Sequence, residues 1–161
     1  MLGWGVSKTI NEGNNFEVIH TTRKKDNHIF FDPTLCQISE LPQVDYIINC
    51  IGVIKPHMKK GIQNAIYINS IFPHELSIFC KNKGIKLIHI TTDCVFSGKK
   101  GKYTEKDDHD ALDHYGKTKS LGECIENAMV LRTSIIGEEK DNFVSLISWA
   151  KSMMGKEVDG F

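Results

Sequence analysis

Ile85-Lys86-Leu87-Ile88-His89-Ile90-Thr91-Thr92-Asp93 is the stretch whose reading decides the fold. It is a short apolar run that follows Gly84 and ends in two threonines and an acid, as a β-strand does. A second run, Val44-Asp45-Tyr46-Ile47-Ile48-Asn49-Cys50-Ile51, ends at Gly52 and suits a strand buried on both faces. Between them, residues 62–81 carry helical spacing, with Pro73 at a kink or first turn and Gly84 as the stop. Outward from this unit the alternation continues. A helix is expected over 3–13, strands over 16–21, 29–31 and 129–132, and a helix over 143–154. Asp113 caps a further helix expected to reach about Asn127, after a Gly/Lys/Asp-rich loop over 97–112. Strands alternating with helices imply a parallel sheet covered by helices on both faces.

In such sheets ligands bind beyond the carboxyl ends of the strands. Polar residues collect there: Thr21 to Arg23, Asn49 to Gly52, and Thr91 to Asp93. The Asp113 helix adds Tyr115 and Lys119, four apart and so on one helical face. A phenol has a pKa of about 10, and a neighbouring ammonium stabilises its anion. Such a group can exchange a proton at an alcohol or ketone while the Thr92 hydroxyl holds the reacting oxygen. This is the chemistry of hydride transfer to or from a nicotinamide. The pair alone is a weak signal, since a tyrosine beside a surface lysine is common; its context carries it.

The 161 residues fit one domain with one core. Twenty basic and twenty acidic residues give zero formal net charge, so no basic excess points to nucleic acid. No apolar run approaches the ~20 residues of a membrane span. The N-terminus lacks the layout of a signal peptide. The five cysteines, at 36, 50, 80, 94 and 124, include no Cys-x-x-Cys, which fits a reducing cytoplasm. No zinc spacing is present, so no metal is expected, and His20, His57, His74 and His89 read as structural or surface residues.

Four motifs in order carry a resemblance: His89-Ile-Thr-Thr-Asp-Cys-Val-Phe-Ser-Gly98, Tyr103-Thr-Glu-Lys-Asp107, Tyr115-Gly-Lys-Thr-Lys-Ser-Leu-Gly-Glu123 and Leu131-Arg-Thr-Ser134. Together they resemble the extended short-chain dehydrogenases/reductases, and within them the dTDP-4-dehydrorhamnose reductase group of sugar-nucleotide reductases. The resemblance covers nearly the whole chain. It implies NAD(P)H-dependent reduction of a 4-keto sugar nucleotide in polysaccharide biosynthesis. Tyr115 would be the acid/base, Lys119 would bind the nicotinamide ribose and depress the tyrosine pKa, and Thr92 would hold the substrate oxygen, with Thr91 as substitute. Gly52 would let the backbone approach the cofactor, beside Asn49; the alternative for Gly52 is a strand-ending turn. Asn69 would line the site, or serve as a buried helix residue bonding backbone. Asp93, Arg132 and Thr133 would face the substrate, Arg132 and Thr133 alternatively being a surface strand end. Asp32 would contact the adenine.

In dinucleotide folds an acid after the second strand reads the ribose 2′-hydroxyl, and arginine accommodates a 2′-phosphate. Here Thr21-Thr22-Arg23-Lys24-Lys25 precedes the first acid, Asp26. The expected cofactor is therefore NADP, read through Arg23, with NAD as the alternative; a solvated basic turn is the plainer reading. The implied partner is a sugar nucleotide, with neither nucleic acid nor membrane, and a homodimer is compatible with the full-length protein.

The chain departs from the family at both ends. Met1-Leu2-Gly3 resembles the tail of a Gly-x-x-Gly-x-x-Gly fingerprint, with Gly3 its third glycine. The first strand and the first two glycines have no counterpart. In the strand order 3-2-1-4-5-6 that strand lies between two others. Unpaired buried backbone groups cost roughly 1–3 kcal/mol each. The far end stops where the family begins its smaller substrate lobe. The expectation is a partial NAD(P)-binding Rossmann domain over 1–161: an α/β, Rossmann-like doubly wound parallel sheet lacking the first strand and most of the C-terminal substrate lobe. It would be an internal piece of a longer reductase that binds NADP(H) weakly or not at all by itself.

Two other functions stand beside reduction. An epimerase or dehydratase resembles a pattern with an acidic pair after the threonine, and Cys94 after Asp93 disfavours it. A non-catalytic NADP-binding regulatory subunit, similar to that of methionine adenosyltransferase, has no need of Thr92, Tyr115 and Lys119 together.

Overall fold

The computed structural model describes residues 2–13, 15–24, 28–58, 61–123, 126–136 and 146–158. They form two compact units, residues 1–17 with 134–161 and residues 18–133. The first unit contains helix α1 (Leu2–Glu12) and helix α6 (Leu146–Ser152). The start of the expected helix over 143–154 lies outside the described residues. All remaining elements belong to the second unit.

Its strands are β1 (Thr21–Thr22), β2 (Ile29–Phe30), β3 (Tyr46–Asn49), β4 (Lys86–Thr92) and β5 (Ala128–Thr133). All pairings are parallel, as the alternation predicts. They form two sheets, β1-β2 and β3-β4-β5, rather than one. The division falls between β1 and β3, where the expected strand order places the strand that has no counterpart. The strand expected over 16–21 shrinks to Thr21–Thr22. Its ladder is extended only by Ile29 donating to the His20 carbonyl and Phe31 to that of Thr22. With one short neighbour, residues 16–19 have no partner strand to hold them extended.

The helical stretch after β3 is in pieces: α2 (Lys55–Met58), α3 (Ile62–Ile66), a π turn (Tyr67–Ile71) and α4 (Phe72–Lys83). From Ile62 to Lys83 the chain is helical without a gap, as the spacing predicts, and Pro73 explains the π turn within it. It lacks the N–H that would bond the carbonyl of Asn69 four residues back, and the chain widens just before it, with Phe72 donating to the Tyr67 carbonyl. Gly84 ends α4 in the left-handed conformation, at φ 70°. Helix α5 (His114–Leu121) starts on the Asp113 cap as expected, but ends at Leu121, with Gly122 closing its last turn.

The core lies on one face of the β3-β4-β5 sheet. Phe72, Leu76 and Cys80 of α4 pack with Ile85 and Leu87, and Phe31 joins them through a tilted contact with the Phe72 ring. Phe31 thereby ties the two-stranded sheet to the larger sheet's core. The opposite face is not sealed within this unit. Ile48, Ile88 and Ile90 are half-buried, and Met129 and Leu131 are exposed. Burial of β3 on both faces is not observed among the described residues of this unit; Tyr46 is 47% exposed.

Candidate active site

β4 ends in Thr92, which also caps the short 3-10 turn Asp93–Val95. Its Oγ1 accepts the Cys94 N–H at 3.2 Å and lies 3.3 Å from Asp93 Oδ1. Of the two threonines, Thr92 is the one whose hydroxyl acts on the Tyr115 phenol, favouring its ionised form. Tyr115 stands on the first turn of α5, fixed by Asp113, whose Oδ1 accepts the Gly116 N–H at 2.7 Å. Burial pushes the phenol above its ordinary pKa, against the Thr92 hydrogen bond and the Lys55 charge, with Cys94 and Asp93 adding to the rise. The expected depression of this pKa by Lys119 is not what the geometry produces.

Lys119, one turn along α5, is only 5% exposed. Its Nζ faces the Gly52 turn: a Cβ built on Gly52 would sit 3.3 Å from it and 3.5 Å from Asn69 Oδ1. Burial lowers the Lys119 pKa, and Glu123 partly opposes this. Asn69 lies in the π turn and holds the other side of Gly52. Its Oδ1 accepts the Val53 N–H at 2.8 Å, and its Nδ2 donates to the Val53 carbonyl at 3.0 Å and to Thr118 Oγ1 at 3.2 Å. Ser70 donates to the Thr118 carbonyl at 2.8 Å. A Cβ at Gly122 would overlap the Asn69 carbonyl. Thus the carbonyl released by Pro73 is met by a glycine of the segment after α5, which lets helix and π turn approach closely. Asn49, at the end of β3, bonds the Ile51 N–H at 3.0 Å and the His89 ring at 3.0 Å.

Thr92, Tyr115, Lys119, Gly52 and Asn69 are therefore gathered at the carboxyl ends of β3 and β4 by four chain segments. The sequence profile of the RmlD substrate binding domain matches residues 1–157. The chain belongs to the RmlD substrate-binding-domain family. The probable low-salt glycan biosynthesis reductase Agl14 of Haloferax volcanii is 30% identical over 122 residues, 69% of this chain and 40% of that protein. The crystal structure of a dTDP-4-dehydrorhamnose reductase from Clostridium acetobutylicum superposes with a TM-score of 0.56 at 29% identity, covering 68% of this chain and 40% of that one. The enzyme of the same name from Bacillus anthracis, solved with NADP, shares the fold at a TM-score of 0.59 and 24% identity, over 69% and 41% of the two chains. The chain spans between 37% and 40% of the length of the curated relatives it matches.

In this RmlD substrate-binding-domain chain the remaining expected residues fall elsewhere. Arg132 does not present its guanidinium freely. Its Nε donates to Glu123 Oε2 at 2.8 Å and its Nη2 to His109 Nε2 at 2.6 Å, while it lies over the Phe96 ring. Two of its five N–H groups are thus engaged by protein partners. Thr133 bonds the Thr91 carbonyl across the sheet at 3.3 Å, and Asp93 stays exposed. At the β1-β2 end, Asp32 accepts the amide and hydroxyl of Thr34 at 2.9 and 2.6 Å. Against the upward push of burial, those bonds and the Arg23 charge hold its carboxyl below the usual range, so Arg23 and Asp32 are electrostatic neighbours. Gly3 lies in α1, in the other unit, and is exposed. No group of three potential metal ligands occurs among the described residues, and no described helix is long and apolar enough to cross a membrane.

His89, read from the sequence as a structural or surface residue, is the former: it is fully buried at the centre of β4. One participant escapes the sequence reading. Lys55 pairs with Asp113 at 2.7 Å, and its position three residues after Gly52 could have marked it.

Proposed function

We propose that this chain contributes the cofactor-facing acid/base site of an NADPH-dependent reductase acting on a 4-keto sugar nucleotide in polysaccharide biosynthesis. The observation that carries the reading is the gathering of Thr92 at the end of β4 with Tyr115 and Lys119 of α5, the lysine ammonium facing the Gly52 turn. The relatives named above, reductases of glycan and deoxysugar synthesis, support the substrate class.

A bound nicotinamide would supply hydride to the carbonyl carbon. Tyr115, kept protonated by its burial, gives the proton to the carbonyl oxygen. Thr92 orients the phenol and holds the same oxygen. Lys119 points its ammonium at the bare backbone of Gly52, the place where a dinucleotide's ribose would find a donor. The space that a Gly52 side chain would fill fits close approach of such a group. Asn69 keeps the Gly52–Val53 turn in place rather than touching substrate, since Val53 and Thr118 take up its amide. Asn49 braces β3 against His89 in the same way. Arg23, beside Asp32, favours the 2′-phosphate of NADP over the bare hydroxyl of NAD. The cytoplasm, a homodimer and a cofactor contact by Gly3 remain part of the proposal for the whole protein.

In a chain completed to the length of its relatives, oxidation of NADPH should depend on a keto sugar nucleotide. Tyr115→Phe should abolish that oxidation while nucleotide binding persists. Turnover retained by Tyr115→Phe would remove the tyrosine from its role.

A further inference from the structure

His109 stands where three segments meet, and its contacts fix which ring nitrogen carries the proton. Its Nε2 lies 2.6 Å from Arg132 Nη2, near the end of β5. Its Nδ1 lies 2.7 Å from Ser120 Oγ, on α5 and next to Lys119. A guanidinium nitrogen can only donate, so Nε2 must accept. The proton of the neutral ring therefore sits on Nδ1 and is donated to Ser120. A proton on Nε2 would face another donor, because Glu123 Oε2 is farther off, at 3.4 Å, and already accepts from Arg132 Nε. The Phe96 ring meets the imidazole edge-on, with centroids 5.5 Å apart.

His109 belongs to the loop over 97–112, whose two ends form one wall of a cavity of about 190 Å³. Phe96, Ser97, Ala111 and Leu112 make that wall. Lys55 lines the cavity as well, and its Nζ lies 5.8 Å from the centroid of the Tyr115 ring, so the space adjoins the phenol. The neck of the loop is closed by Asp110, which accepts the Ser97 amide at 2.6 Å and the Ser97 hydroxyl at 2.5 Å. The Ala111 amide donates to the Val95 carbonyl at 3.0 Å. These bonds hold the loop to its own stem. Against α5 the wall has an apolar contact, Ala111 filling the space that a Cβ on Gly116 would need. Apolar contact has no direction; hydrogen bonds do. We propose that His109, protonated on Nδ1, is a positioning residue that fastens this wall to α5 and β5 and so sets how tightly a sugar nucleotide is held beside Tyr115. The effect on substrate rests on the reading of Tyr115 as the acid of a reductase.

Two measurements in this chain test the fastening without cofactor or substrate. The first is a two-bond proton–nitrogen correlation spectrum of the histidine rings in alkaline solution, with the signal assigned by its loss in His109→Phe. It should show the Nδ1–H pattern, and an Nε2–H pattern overturns the proposal. The second is hydrogen exchange at the Ala111 amide. It should quicken about two- to tenfold in His109→Phe, the size of a lost hydrogen bond. His109→Asn keeps a donor near the place of Nδ1 and should exchange more nearly like the parent chain. Unchanged exchange in His109→Phe overturns the proposal, and so does an asparagine variant that exchanges as fast as the phenylalanine one. In a chain completed to the length of its relatives, His109→Phe should raise the KM for the keto sugar nucleotide about two- to tenfold while kcat stays within about twofold. An unchanged KM overturns the positioning role. A completed chain with no reductase activity would sink the reductase reading instead, and the spectrum and the exchange would still decide the fastening.

Discussion

Gly52 and Lys119 are locked in one another's space: the ammonium of a buried lysine occupies the position against which any side chain at residue 52 would press. Alanine there would place its Cβ 3.3 Å from a flexible side-chain end, a tight contact that a small shift relieves. Gly52→Ala should therefore change stability by less than about 1 kcal/mol, and Gly52→Val should cost about 1–3 kcal/mol through overpacking. Denaturant unfolding of the two variants checks the ordering. A Gly52→Ala protein that folds normally yet retains dinucleotide poorly is the outcome expected of a backbone that must be approached closely.

Asn69 satisfies both backbone groups of Val53 and the hydroxyl of Thr118 from a residue that is 0% exposed. Asn69→Ala should lower stability by about 2–4 kcal/mol, because partners are left unpaired away from water. Thermal unfolding reads the loss. Asn69→Asp should not rescue it, since a carboxylate cannot donate to the Val53 carbonyl.

His89 gives the protein an acid sensitivity. Burial, with Lys119 and His74 adding to it, lowers its pKa from 6.5 to about 4. The unfolded chain binds this proton more readily than the folded one. Stability from this residue is therefore fully present above about pH 6.5 and falls as the pH drops toward 4, below which both states are protonated. The integrated loss is about 3 kcal/mol. Unfolding midpoints between pH 7 and 4 should show this slope, and His89→Gln, which retains a partner for Asn49, should flatten it.

Arg132 is expected to act on stability rather than on substrate affinity. The Glu123 side chain it pairs with is 4% exposed. Removing one partner of such a pair leaves a buried charge uncompensated, so Arg132→Met should cost about 3–5 kcal/mol. If unfolding is unaffected while the Michaelis constant for the sugar nucleotide rises, Arg132 belongs to the substrate site after all.

Much of this was legible before the structure, and for identifiable reasons. The Gly84 stop, the Asp113 cap and the strand that ends in Thr92 each rest on local chemistry, which the chain states outright. The role of Asn69 was left between two readings, because its partners lie 16 and 49 positions away and only the Pro73-induced π turn aims it at them. Arg132 was left between two readings for the same reason: a strand-end arginine does not announce the Glu123 and His109 side chains that meet it. The length of the first strand failed because extended structure needs a neighbour, and a strand's own residues do not reveal whether one is present.

The divided sheet also bears on how the protein behaves in a tube. Among the described residues β3 pairs only with β4, so its outer row of amides and carbonyls is a template for any passing strand. The two-residue β1 is too short to template much. The chain has no net charge to keep copies apart. Copies of the chain would therefore meet first along the strand edges, Tyr46–Asn49 of β3 and, on the far side of the same sheet, Ala128–Thr133 of β5.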